Sequence, residues 1–122
     1  MLRSISLACL IAVAANTSAQ AQVGEGDRAE FETATTAFIG CLRATVQMGM
    51  TTKMEPAKFK EGFAKSCLEQ QAQFRRIAVK VAMASGRSEA AAIAEVDGNI
   101  ANGRRAFADD QESYIKTGKV PR

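Results

Sequence analysis

The 122-residue chain contains no histidine and no tryptophan, and only one tyrosine, six phenylalanines, two prolines and three cysteines. Without histidine there is no Ser-His-Asp or Cys-His nucleophile pair. There is likewise no His-ligated zinc or haem and no CxxCH attachment site. No CxxC pair is present, which excludes a thioredoxin-type redox motif. Neither a GxGxxG turn nor a P-loop occurs. No apolar run reaches the roughly twenty residues that a membrane-spanning helix needs. Alternation of apolar and polar residues at the period of a strand is also missing. So few aromatics leave a thin core rich in alanine, in which a covalent staple would carry weight. Nothing in this inventory calls for a cofactor.

The longest apolar stretch is Ile5–Ala15, interrupted only by Ser6 and preceded by one positive charge at Arg3. Ala19-Gln20-Ala21 follows, the small-x-small pattern of a signal peptidase site. These features predict a cleaved signal peptide over residues 1–21 and one mature domain over 22–122. Cys9 lies inside the signal, and its upstream residues Ser6-Leu7-Ala8 fit a lipoprotein site poorly. The mature chain then carries fifteen basic and thirteen acidic residues, a net charge of +2. That balance does not point to nucleic acid, and export points away from it. The expected location is periplasmic or secreted, with no transmembrane segment in the mature chain.

Only Cys41 and Cys67 remain after cleavage. Two cysteines exported into an oxidising compartment predict a disulfide.

Three segments carry helical periodicity, which predicts helices over about 26–48, 56–84 and 88–116. The first has its stripe at Phe31, Ala34, Phe38, Cys41, Thr45 and Met48. The second runs through Phe63, Cys67, Gln70, Phe74, Ile77, Val81 and Ala84, with Pro56 in its first turn and Gly86 just past its end. The third runs through Ile93, Val96, Ile100, Gly103, Phe107, Asp110 and Tyr114, starting from a Ser88 N-cap. Gly98 and Gly103, with Asn99 and Asn102 between them, could break it over 97–103; Gly103 lies in the stripe and could admit a close neighbour. The fold class is therefore all-α, a small antiparallel three-helix bundle. A Cys41–Cys67 bond centres a hairpin of the first two helices on residue 54, inside the aperiodic stretch 49–55. The same register pairs Phe31 with Ile77, Ala34 with Phe74, Phe38 with Gln70 and Thr45 with Phe63. Every pair is stripe to stripe. Closing this loop contributes about 3–4 kcal/mol through the unfolded state.

Two groups of residues could carry binding chemistry. Met48, Met50 and Met54 form M-x-M-x-x-x-M at the hairpin tip, and clustered thioethers suit Cu(I). The plainer reading has Met48 filling the core and the other two covering the hairpin end. Charge is also uneven along the chain: residues 22–50 are net −2, 51–87 net +5 and 88–122 net −1. Arg76, Lys80 and Arg87 share one face of the second helix. They could meet anionic lipid headgroups or an acidic partner, or simply pair with acidic neighbours in a solvated face. Asp109, Asp110 and Glu112 cluster near the end, without the spacing of a calcium loop.

The missing catalytic equipment, the expected staple and the alanine-rich bundle point to an exported, non-enzymatic interaction module, an adaptor or a chaperone-like protein, with a protein partner in the cell envelope. In outline the chain resembles the periplasmic acid-stress chaperones: about a hundred mature residues, helical, with one disulfide. That resemblance covers layout only and transfers no residues. A Cu(I)-binding protein and a binder of anionic membrane surfaces are the alternatives.

Overall fold

The structure, a computed structural model, describes residues 23–122. The expected signal peptide and its cleavage site lie outside the described residues. Four helices follow in chain order: α1 (Glu25–Thr51), α2 (Pro56–Ala64), α3 (Leu68–Ala84) and α4 (Glu89–Thr117). The described residues contain no strand. Helices α1, α3 and α4 pack against one another, and α2 packs against α4.

The ends of the helices follow local chemistry. Ser88 caps α4 by accepting a hydrogen bond from the Ala91 N–H at 3.2 Å. Gly118 closes it in the left-handed conformation, donating its N–H to Tyr114 O at 2.7 Å. Pro56 opens α2, where its missing N–H costs nothing. Gly86, with φ +101°, supplies the turn between α3 and α4.

The expected antiparallel register holds between α1 and α3, while α2 turns away to α4. Cys41 and Cys67 are joined, with their Cα atoms 5.9 Å apart. Ion pairs Glu30–Arg76 and Asp27–Lys80 continue the pairing of α1 with α3 about the same centre. Phe74 packs between Phe31 and Phe38, with ring centroids 5.8 and 5.5 Å away.

The structure corrects the three-helix reading in four places. Residues 56–84 do not form one helix: the chain breaks at Lys65–Cys67, and α2 and α3 are separate. Conversely, the third helix is unbroken across 97–103. Helix α1 runs on to Thr51, so Gly49 is helical and the connecting loop shrinks to residues 52–55. The buried line of α4 is also rotated by about one residue from the expected stripe. It passes through Ala92, Val96, Ile100, Ala108 and Gln111, leaving Asp110 half-buried at the edge. Periodicity read over an alanine-rich helix locates the apolar face but not its midline, since small residues tolerate either side of it.

The core is built from Phe38, Leu42 and Val46 of α1, Phe59 and Phe63 of α2, Ala78 of α3, and Val96, Ile100 and Ala108 of α4. Ile77 is fully buried as well. Met48 does not join them; it is 59% exposed. The turn of α1 after Val46 reaches the interior at Gly49 instead. A Cβ built on Gly49 would stand 2.5 Å from two atoms of the Phe59 ring and 3.2 Å from Gln111 Cγ. Phe59 is buried and stacked on Phe63, with centroids 5.2 Å apart, so its ring cannot yield cheaply. The close approach expected at Gly103 is therefore found at Gly49, and a Cβ at Gly103 would meet nothing within 4 Å.

Two substitutions to alanine should consequently differ in sign. Gly98→Ala, on the open face of α4, should stabilise the protein by about 0.5–1 kcal/mol through helix propensity alone. Gly49→Ala should lose more to the Phe59 clash, about 1–3 kcal/mol, than propensity returns. Thermal melts of the two variants should move in opposite directions by several degrees.

Candidate functional site

The break between α2 and α3 is held from two sides. Lys65, Ser66 and Cys67 include neither Gly nor Pro, yet Cys67 has φ +58° and ψ +27°, the left-handed conformation. For a residue with a Cβ that conformation costs about 1–2 kcal/mol. The last turn of α2 tightens, with Lys65 N–H on Gly62 O at 3.1 Å and Ser66 N–H on Phe63 O at 3.0 Å. The Ser66 hydroxyl also donates to Phe63 O, at 2.7 Å, the local bond by which serine competes with a helix. On one side the disulfide ties the break to the middle of α1, where the Thr45 hydroxyl lies 3.7 Å from Cys67 Sγ.

On the other side stands Arg104 of α4. Its guanidinium donates to Phe63 O at 2.9 Å, to Ser66 O at 2.6 Å and to Gln71 Oε1. It also lies over the rings of Phe38 and Phe63, 5.7 and 5.5 Å from their centroids. Among the described residues it makes no ion pair, and burial pulls its pKa below the ordinary arginine value. The charge is thus satisfied by carbonyl dipoles and aromatic faces. It serves as an external cap for the end of α2, filling the role the last turn of a helix leaves open.

A second polar fastener is Gln111, which is fully buried. Its amide Nε2 donates to Met54 O at 2.8 Å and Gly49 O at 3.3 Å, clipping the α1–α2 loop to α4. Neither Arg104 nor Gln111 stands out in the sequence, where each is one polar residue in an amphipathic helix. The only available signal for Gln111 was its place one turn after Phe107.

The candidate ligands and charges fall as follows. Met48 and Met54 border one apolar groove of about 290 Å³, with Thr45, Phe59 and Phe63. Met50 borders a different cleft and packs against the core. The three residues therefore do not line one common pocket among those described. No group of three or more Cys, Asp or Glu residues in metal-binding arrangement occurs among the described residues. Arg76, Lys80 and Arg87 are each occupied by a carboxylate: Glu30, Asp27 at 2.8 Å, and Glu95. Arg75 joins them with a two-point contact to Asp97, at 2.6 and 3.0 Å. The basic segment is thus flanked by acidic partners on α1 and α4.

An open cleft of about 620 Å³ lies between the C-terminal halves of α1 and α4 and residues 120–122. Val46, Met50, Phe107 and Tyr114 provide its apolar wall, and Arg43 and Asp110 stand on its polar side. Neither Arg43 nor Asp110 forms an ion pair among the described residues. A scan against protein-family models and searches of curated proteins and solved structures find no match to the chain.

Two predictions follow from the fasteners and the surface pairs. Arg104→Lys should destabilise the bundle by about 2–4 kcal/mol in denaturant titrations, because an ammonium cannot span three acceptors on two elements. The second concerns pH. Lys60 and Lys116, at 2.7 and 3.1 Å, hold the Glu112 carboxyl below its usual value of 4.5, and Arg75 holds Asp97 below 3.8. Both contributions are present above those values and disappear as pH falls through the lower folded ones. Lys60 and Lys80 are raised above 10.5 by Glu112 and Asp27, and their contributions disappear only as pH climbs past that. Stability should be level across neutral pH and decline below about 4.5. The Asp97→Asn and Glu112→Gln variants should flatten the acid limb.

Proposed function

We propose that this protein is a small, exported, non-enzymatic binding module, and that the cleft between the C-terminal halves of α1 and α4 receives a segment of a partner protein in the cell envelope. The observation that supports this reading is the composition of the cleft. Four large apolar side chains, Val46, Met50, Phe107 and Tyr114, line a space of about 620 Å³. Arg43 and Asp110, of opposite charge, stand beside them without ion-pair partners of their own. Such a surface fits a protein segment that presents an apolar side chain together with a charged group, the usual pairing of an anchor with its polar rim. A disulfide is compatible with an oxidising exported compartment.

A photo-crosslinking amino acid at Gln47, on the cleft wall, tests this in cells that export the protein. One discrete protein adduct is expected. It should fall about tenfold or more with Phe107→Ala or Arg43→Glu, each checked for native helicity. The same probe at Lys58, on α2, should not form it. A smear of adducts, or one indifferent to both substitutions, would remove this reading.

A further inference from the structure

We propose that the Cys41–Cys67 disulfide is a redox-sensitive lock on the α2–α3 break, and that its reduction lets residues 56–84 join into one continuous helix. The sequence over this span has one uninterrupted helical stripe, from Phe63 to Ala84, and nothing at Lys65-Ser66-Cys67 that forbids a helix. The break stands at a left-handed Cys67, a conformation that favours glycine. Cys67 has no side-chain cap to offer α3. Among the described residues, the N–H groups of Cys67, Leu68, Glu69 and Gln70 have no hydrogen-bond acceptor. A continuous helix would give those four groups the carbonyls of Phe63, Ala64, Lys65 and Ser66. Two of these, Phe63 O and Ser66 O, are the ones Arg104 now holds.

The broken and continuous forms therefore compete for the same carbonyls, and the covalent bond between α1 and Cys67 favours the broken one. Both cysteines are half-buried, within reach of a small or protein dithiol. One thiolate of the dithiol attacks a sulfur of the bond and the other cysteine leaves as a thiolate. The second thiolate then resolves the mixed disulfide. Two protein thiols form, and the dithiol is oxidised to its own disulfide. The consequence for the surface is specific. Helix α2 carries Phe59 and Phe63, one wall of the groove bordered by Met48 and Met54, and its Lys60 pairs with Glu112 of α4 at 2.7 Å. Realigning α2 with α3 draws Phe59 and Phe63 out of the core they complete against α4, and so loosens that corner and reshapes the groove. This inference rests on the lock and not on the partner of the α1–α4 cleft, so it is tested on the isolated protein.

Amide hydrogen exchange by NMR on the mature protein, oxidised and then fully reduced with dithiothreitol, provides the readout. Reduction should slow exchange of the residue 67–70 amides by about tenfold or more while protection persists in α1 and α3 around Phe31, Phe38 and Phe74. Unchanged exchange at 67–70 in the reduced protein overturns the proposal, as does loss of protection throughout the bundle. Two disulfide-free variants separate the lock from the loss of sulfur. Cys41→Ser/Cys67→Ala should show the slow 67–70 amides of the continuous helix. Cys41→Ser/Cys67→Gly should keep them fast, since glycine accepts the left-handed turn without a covalent hold. Equal behaviour of the two variants would also overturn it.

Discussion

The bond between Cys41 and Cys67 joins the middle of α1 to the left-handed residue at which the chain breaks between α2 and α3. The placement of the other elements depends on this contact. It sets the register of α1 against α3, and ion pairs at Glu30–Arg76 and Asp27–Lys80 repeat that register along the hairpin. It also directs α2 away from the axis of α3 and toward α4, where Phe59 and Phe63 complete the core. A domain of about a hundred residues with no tryptophan has little apolar area to spare, so a constraint worth about 3–4 kcal/mol is a large share of its stability.

Helix α4 answers the disulfide from the opposite side with two polar residues. Arg104 donates to Phe63 O and Ser66 O at the break, and Gln111 donates to Met54 O of the α1–α2 loop and Gly49 O of α1. Both residues do what a helix cap does, but from a distant element, which makes the irregular segments cooperative with the rest of the bundle. Such groups are unforgiving: removing Arg104 leaves Ser66 O, and removing Gln111 leaves Met54 O, without a donor among the described residues. The close contact of Gly49 with Phe59 belongs to the same region, so the end of α1, the loop, α2 and α4 meet at one crowded corner.

The charges arrange themselves around this frame. The basic middle of the chain lies between an acidic first helix and an acidic last one. The structure pairs Arg75, Arg76, Lys80 and Arg87 with Asp97, Glu30, Asp27 and Glu95. These contacts are exposed and orient the helices more than they hold them. Arg43 and Asp110 lie outside that pattern, beside the apolar side chains of the α1–α4 cleft.

Much of this was legible in the residues alone. Helical class, the Ser88 cap, the glycine stops, the Cys41–Cys67 pairing and the hairpin centre all follow from local propensity, period and covalent geometry, which are properties of neighbours in the chain. The break at Lys65–Cys67 was not legible, because no residue there opposes a helix; the contacts found at it are a bond to α1 and a guanidinium from α4. The continuity of α4 through Gly98 and Gly103 was equally hidden, since packing against α1 and α3 offsets a propensity cost of about 1 kcal/mol for each glycine. Gly49, Arg104 and Gln111 acquire their roles only when distant segments meet. The sequence by itself determined which stretches are helical and which two cysteines pair; the tertiary structure decided where one helix becomes two, because the groups that decide it lie tens of residues away.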